Sequence, residues 1–167
     1  MQEVFGGMLA WMEWLEMTGI STAIREGTLY FPILDGLHLF GLTFMFGSIT
    51  MFDLRLLGWV FKKETVSDVF TQLIKWTWFG FGIVFISGIL LFISEPVRCY
   101  TSPWFIAKMI FVAMGGANAG YFDFKTFKDI DKWNTQLSLP GAARFAGAAS
   151  LIIWTTVITL GRFFAFL

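Results

Sequence analysis

The sequence predicts an all-α integral membrane protein, a four-transmembrane-helix bundle with an N-terminal amphipathic interfacial helix. Hydrophobic residues make up 56% of the 167 positions and charged residues 14%, against about 25% charged in an average soluble protein. Four stretches are long and apolar enough to cross the hydrocarbon layer, which takes about 20 residues as a helix. Such a chain cannot cover its surface with polar groups, so the lipid bilayer is its main predicted partner.

The charged residues and the single cysteine exclude two other classes. Twelve basic and twelve acidic side chains leave no net charge, which argues against nucleic acid as a partner. Cys99 is the only cysteine, so an intrachain disulfide is excluded and an intermolecular one is the only pairing open to it.

Residues 1–27 are too interrupted by polar side chains to span a membrane. Met8, Trp11, Met12 and Leu15 recur at i, i+3, i+4 and i+7, which is typical of an amphipathic helix. We expect this helix to lie in the outer headgroup layer, or to pack on the bundle or on a partner subunit. Residues 28–167 then form the transmembrane domain.

The four spans are predicted at about residues 29–52, 76–93, 103–122 and 142–164. Pro32 and Pro103 fall in first turns, whereas Pro96 follows the second span and Pro140 precedes the fourth, all positions that proline tolerates. The charged stretch Asp123–Asn134 is expected to extend the third helix into water.

The distribution of basic residues predicts the orientation. The loops after the first and third spans carry eight of them: Arg55, Lys62, Lys63, Lys75, Lys125, Lys128, Lys132 and Arg144. The opposite side carries Arg25, Arg98, Arg162 and, at the membrane surface, Lys108. By the positive-inside rule the two long loops are cytoplasmic and both termini lie outside.

His38 is the only histidine and the strongest candidate for chemistry. It lies about nine residues into the first span, on the order of 13 Å deep. Asp35 precedes it by one turn, Gly41 follows at i+3 and Met45 at i+7, so all four share one side of the helix. A buried imidazole could ligate haem iron, relay protons, or hydrogen-bond a neighbouring helix.

Lys108, near the start of the third span, has two possible roles. It extends its ammonium to the headgroups, or it forms an ion pair with Asp35.

Small residues in three spans predict close packing. Gly116 and Gly120 form a G-x-x-x-G pattern, and Ala143 and Gly147 a small-x-x-x-small pair, within one chain or between chains. The glycines of the second span leave room for a flat cofactor or for a neighbouring helix: Gly80, Gly82 and Gly88.

Several stretches together resemble an uncharacterised family of four-helix bacterial inner-membrane proteins. They are G-L-H-L-F-G at 36–41, D-L-R-L-L-G at 53–58, S-G-I-L-L-F at 87–92, P-W-F-I-A-K at 103–108 and Asn118-Ala119. More distantly, the layout is similar to the CopD copper-resistance membrane domain and the HemJ-type protoporphyrinogen oxidase. That resemblance implies haem b as a cofactor and His38 as its ligand, in a multi-pass protein of the inner membrane with periplasmic termini.

One departure from this pattern limits the expectation. Relatives often carry a second histidine after an Asn-Ala-x-x-aromatic run, where this chain has Asp123 following Phe122. A haem with two histidine ligands from one chain is therefore excluded.

Three hypotheses follow. In the first, the protein is a haem b electron-transfer protein with His38 as one axial ligand and Met114, His38 of a second subunit, or an open position opposite. In the second, it is a non-catalytic accessory subunit of a larger or homo-oligomeric complex, with a structural set of His38, Asp35 and Lys108. In the third, Asp35 and His38 form a proton or small-solute pathway. Catalytic residues are not assigned, and the sequence does not decide whether the protein is an enzyme.

Overall fold

Long apolar helices dominate the structure, a computed structural model that describes residues 2–134 and 139–166. Residues 1, 135–138 and 167 lie outside this description. Four helices are long and apolar enough to cross a membrane. The described residues contain no β-strand.

The N-terminal segment forms two helices, α1 (Gln2–Glu16) and α2 (Gly19–Glu26). The Thr18 side chain accepts a hydrogen bond from the Ser21 backbone N–H and so caps α2. The single N-terminal helix of the prediction is therefore broken before Gly19. The α1 helix packs beside three other elements, α2, α4 and α5, while Trp11 and Trp14 are 58% and 59% exposed.

The first two spans are α3 (Tyr30–Leu56) and α4 (Val66–Ser94). The α3 helix ends in a Schellman motif: the Trp59 N–H bonds the Leu54 carbonyl and the Gly58 N–H bonds the Arg55 carbonyl, both at 3.0 Å. Gly58 has φ +77°, a conformation that favours glycine.

The α4 helix begins ten residues before the predicted span. Thr65 caps it, since the Asp68 N–H donates to Thr65 Oγ1 at 3.1 Å, and Thr65 Oγ1 in turn donates to the Asp68 carboxylate at 2.7 Å. Its first turns are polar, so the hydropathy pattern did not reveal them.

Two further helices follow, a short α5 (Pro96–Thr101) and α6 (Pro103–Tyr121). Each has proline at its start, where the missing N–H removes no helical hydrogen bond. Arg98 donates to the Phe164 carbonyl at 2.9 Å, which ties α5 to the end of α7 (Gly141–Phe166).

The stretch after α6 is not the straight extension that the charge pattern predicts. One turn of π-helix (Phe122–Thr126) is followed by a 3-10 helix (Phe127–Lys132). Phe122, Ile130 and Trp133 turn inward, whereas Phe124 is 71% exposed. The inward side chains join a cluster of buried residues: Leu56, Val66, Phe122, Ile130, Trp133, Leu139, Ala143 and Ala146. We call this end of the bundle, where α3 ends and α4 begins, the loop end.

The long helices contact one another in the spatial order α4–α3–α7–α6. No more than 22% of the residues in the most apolar window of any span are buried inside the protein. Because the outward surface of these helices is apolar, it suits contact with lipid.

Candidate functional site

His38 lies on α3 against α4, and its ring orientation is fixed by a serine. Nδ1 of His38 is 3.0 Å from Oγ of Ser87. The Ser87 hydroxyl is also 2.6 Å from the Ile83 carbonyl, which can only accept. The single hydroxyl proton therefore goes to Ile83, and Ser87 accepts a hydrogen bond from Nδ1–H of His38. This assigns the tautomer and leaves Nε2 with an unprotonated lone pair.

Two glycines bring α3 and α4 close enough for this contact. A Cβ on Gly80 would lie 2.6 Å from the Gly41 carbonyl oxygen, and one on Gly41 would lie 2.9 Å from Ile83 Cβ. A third glycine, Gly88, leaves the space beside the imidazole, since its Cβ would be 3.2 Å from His38 Cε1. Glycine is thus what allows this helix separation.

Lys108 lies on α6 in the same half of the bundle as His38 and turns toward α7. A Cβ on Gly161 would be 3.9 Å from its Nζ, and this Nζ is 5.8 Å from the centre of the Phe105 ring. The charges of Lys108 and Asp35 both act on the His38 ring.

Asp35 is exposed, and the ion pairs within the described ranges do not join it to Lys108. In the described ranges the predicted Asp35–Lys108 ion pair is therefore not formed.

The other residues singled out in the sequence are divided between packing and surface. Gly41 packs against Ile83 and Val84 of α4, which fill the space that a side chain at this position would need. Asn118 Nδ2 donates to the Ala146 carbonyl at 3.1 Å and links α6 to α7. Met114 is 47% exposed.

The small-residue pairs differ in what they face. Gly147 of α7 packs against α3, where its Cβ would lie 3.1 Å from the Asp53 carbonyl oxygen. Gly116 and Gly120 of α6 face open space, with nothing within 4 Å of an added Cβ. The Ala143–Gly147 pair therefore packs within the chain, whereas the Gly116–Gly120 pair leaves the surface of α6 uncovered.

A model of DUF6644, a family of unknown function, matches residues 11–167. The chain belongs to this family. No curated protein and no solved structure matches it.

In this DUF6644 chain the D-L-R-L-L-G stretch closes the loop end. Arg55 is buried and donates to the Glu64 carbonyl from Nε at 3.2 Å and from Nη2 at 2.8 Å, which holds the connection to α4. Gly58 forms the helix terminus. Asp53, 4% exposed, faces α7.

Sequence reasoning missed Ser87 and Asp53 as site residues. Ser87 lies in an uncharged apolar segment, and the sequence contains no local signal that pairs it with His38, which is 49 residues away along the chain. Asp53 falls just beyond the predicted end of the first span, although α3 continues to Leu56. An acidic side chain inside a membrane helix is itself a signal of function.

Across the part of the chain that the structure describes, no three histidine, cysteine or acidic side chains converge as a metal site. Within the described residues, His38 is thus a candidate metal ligand without a second such side chain converging on it.

Proposed function

We propose that this protein is an integral membrane protein that binds a b-type haem through Nε2 of His38 and transfers electrons. The observation that carries the proposal is the Nδ1–Ser87 hydrogen bond, since the lone pair of Nε2 is then available to iron. Metal-ligating histidines usually donate their other ring N–H to a neighbouring acceptor, which fixes the tautomer and raises ligand basicity.

We infer that a single side chain of this chain would hold the haem iron. His38 would hold the iron, Ser87 would orient the ring, and Gly88 would leave its edge uncovered. A bound haem would supply one-electron redox chemistry. The opposite position falls to Met114, to His38 of a second copy, or stays open. Met114 has no described contact with His38.

The test is an optical spectrum of the detergent-purified protein, air-oxidised and then reduced with dithionite. We expect a Soret band whose α and β bands sharpen on reduction, and its loss in His38→Ala. Ser48→Ala is the matched control, because Ser48 bonds Thr77 between the same two helices at 2.8 Å and lies far from His38 along α3, and it should leave the spectrum unchanged. A featureless visible region in protein made with ample haem would contradict the proposal, as would full haem in His38→Ala.

A second candidate function, a homo-oligomeric accessory subunit, is favoured by the outward G-x-x-x-G of α6. Gly116 and Gly120 have open space around their α-carbons, so a second helix could approach them closely. Such a subunit would use its His38–Ser87 contact to hold α3 against α4.

Replacing these glycines tests the second candidate. Gly116→Leu with Gly120→Leu should leave the monomer folded and convert any oligomer to monomer in light scattering. Gly82→Leu on α4 is the control, since Gly82 is equally open. An unchanged mass would exclude this face as the interface.

We further propose a bacterial inner-membrane location, with both termini periplasmic and α1 in the outer headgroup layer. The exposed Trp11 and Trp14 suit the headgroup region, and the excess of basic residues in the two long loops supports the orientation. Reporter fusions at Phe166 and at Lys63 should report the periplasmic and the cytoplasmic side, respectively; the reverse assignment, or the same side for both, would contradict the topology.

A further inference from the structure

Asp53 carries a buried carboxyl group with an unsatisfied oxygen near the loop end of α3. The residue is 4% exposed, and its Oδ2 is buried without a hydrogen-bond partner. The Ser150 hydroxyl on α7 interacts with the same carboxyl group. Gly147, one turn earlier on α7, brings the two helices together at this point. A Cβ added to Gly147 would lie 3.1 Å from the Asp53 carbonyl oxygen.

No positive side chain within the described ranges neutralises Asp53. The neighbouring Arg55 is directed to the Glu64 carbonyl, and the described ion pairs lie elsewhere. Besides the buried Arg55, the ionisable groups of the elements around the loop end are exposed on the surface, among them Glu64, Asp68, Asp123, Lys125 and Arg144. A carboxylate at this position would therefore be buried with its charge uncompensated, which is strongly unfavourable.

We propose that Asp53 is a proton-binding site, in which the protonated carboxyl group allows α3 and α7 to meet at Gly147 and Ser150. A proton needs one oxygen and removes the charge altogether. A hard metal cation would instead require on the order of six oxygen ligands, whereas the polar side chains close to this carboxyl on α3 and α7 are Ser150 and Thr50.

Thr50 supplies a second unsatisfied group beside the proposed proton site. It lies one turn before Asp53 on α3, and its Oγ1 is also buried without a partner. Residues three apart on a helix are neighbours on its surface. Since neither oxygen has a partner, the two groups are not bonded to each other in this structure. After a side-chain rotation the Thr50 hydroxyl could accept from the protonated carboxyl group.

Loss of the proton has a defined structural consequence. An ionised Asp53 is stabilised when water reaches it. Separation of α3 and α7 near Gly147, where the two helices are in contact, would admit that water. Proton release from Asp53 therefore couples to opening of the α3–α7 contact. This site is independent of haem binding by His38.

The test is infrared spectroscopy of the full-length protein in lipid nanodiscs at neutral pH. We expect a carbonyl stretching band of an unionised carboxylic acid that disappears in Asp53→Asn and persists in Asp35→Asn and Asp123→Asn. Since asparagine is a neutral analogue of protonated aspartate, Asp53→Asn should retain the wild-type folding yield. Should that variant fail to fold, ¹³C in the carboxyl group of aspartate shows whether the band belongs to an aspartate, and persistence of the band in asparagine variants of the other five aspartates assigns it to Asp53.

Two results would overturn the proposal. One is a fully ionised Asp53 at neutral pH, with no band attributable to it. The other is a band that vanishes when choline chloride is replaced by sodium chloride at fixed pH, which would identify a sodium site. A band that is insensitive to sodium and lost on alkalinisation, together with increased hydrogen exchange at Gly147, supports proton binding coupled to opening.

Discussion

The Gly41 and Gly80 backbones approach so closely that a Cβ on Gly80 would lie 2.6 Å from the Gly41 carbonyl oxygen. This approach sets the distance between α3 and α4. It thereby allows Nδ1 of His38 to reach Oγ of Ser87 at 3.0 Å. This contact lies farther from the loop end, about one helical turn from Gly41 on α3 and about two turns from Gly80 on α4.

Gly80→Ala should force α3 and α4 apart, because the new methyl group meets backbone atoms that cannot rotate away. We expect a loss of about 1–3 kcal/mol in the free energy of unfolding, measured by circular dichroism in detergent. Gly82→Ala has nothing within 4 Å of its Cβ and should be neutral or stabilising by up to about 1 kcal/mol. Equal stability of the two variants would show that the close approach is not rigid.

Ser87→Ala should leave Nδ1–H of His38 without its acceptor and reduce stability by about 1 kcal/mol. If haem is bound, the weaker basicity of the ring should also shift the haem midpoint potential to more positive values. Ser48→Ala is the matched control, since Ser48 bonds Thr77 between the same two helices at 2.8 Å. It should reduce stability without moving the potential; equal shifts in both variants would disprove the specific role of Ser87.

The Cys99 thiol should be unreactive in the folded protein. Cys99 is 3% exposed, and burial, with a smaller effect of Glu95, raises the pKa of its thiol to about 12. The thiolate is the reactive form, so maleimide labelling should be slow at neutral pH and fast after unfolding in dodecyl sulfate. Thr101→Cys in a Cys99→Ala background provides an exposed control that should label at once. A Cys99-dependent disulfide dimer on a non-reducing gel would contradict this burial.

Gly58→Ala should destabilise the connection between α3 and α4. Gly58 has φ +77°, and a side chain in this left-handed conformation costs about 1 kcal/mol. Gly47→Ala, in the open interior of α3, controls for the general effect of alanine in a helix. The expected result is a lower unfolding midpoint for Gly58→Ala alone; a higher midpoint would show that the Schellman geometry is not maintained.

Helix existence was predictable because apolar runs and helix caps are local properties of the sequence. The third span begins at Pro103 as predicted, and the fourth starts and ends within two residues of its prediction. Elsewhere the helices differ from the predicted limits: α3 continues past residue 52 to Leu56, α4 begins before residue 76, and the stretch after α6 bends. The polar first turns of α4 are helical because Thr65 caps them. The stretch after Phe122 bends because Ile130 and Trp133 become buried in the loop-end cluster, which charge alternation does not reveal.

The sequence by itself also determined which residues deserved scrutiny, since an intramembrane histidine or carboxylate is costly wherever the helices pack. Which partner each one meets was decided only by the tertiary structure. His38 met Ser87 because Gly41 and Gly80 bring two helices together, Lys108 lies close to Gly161 of α7, and Asp53 became enclosed at Gly147. Hydropathy depends on the residues of one segment, whereas hydrogen-bond partners depend on the rotation and separation of two helices, which a single sequence does not encode locally.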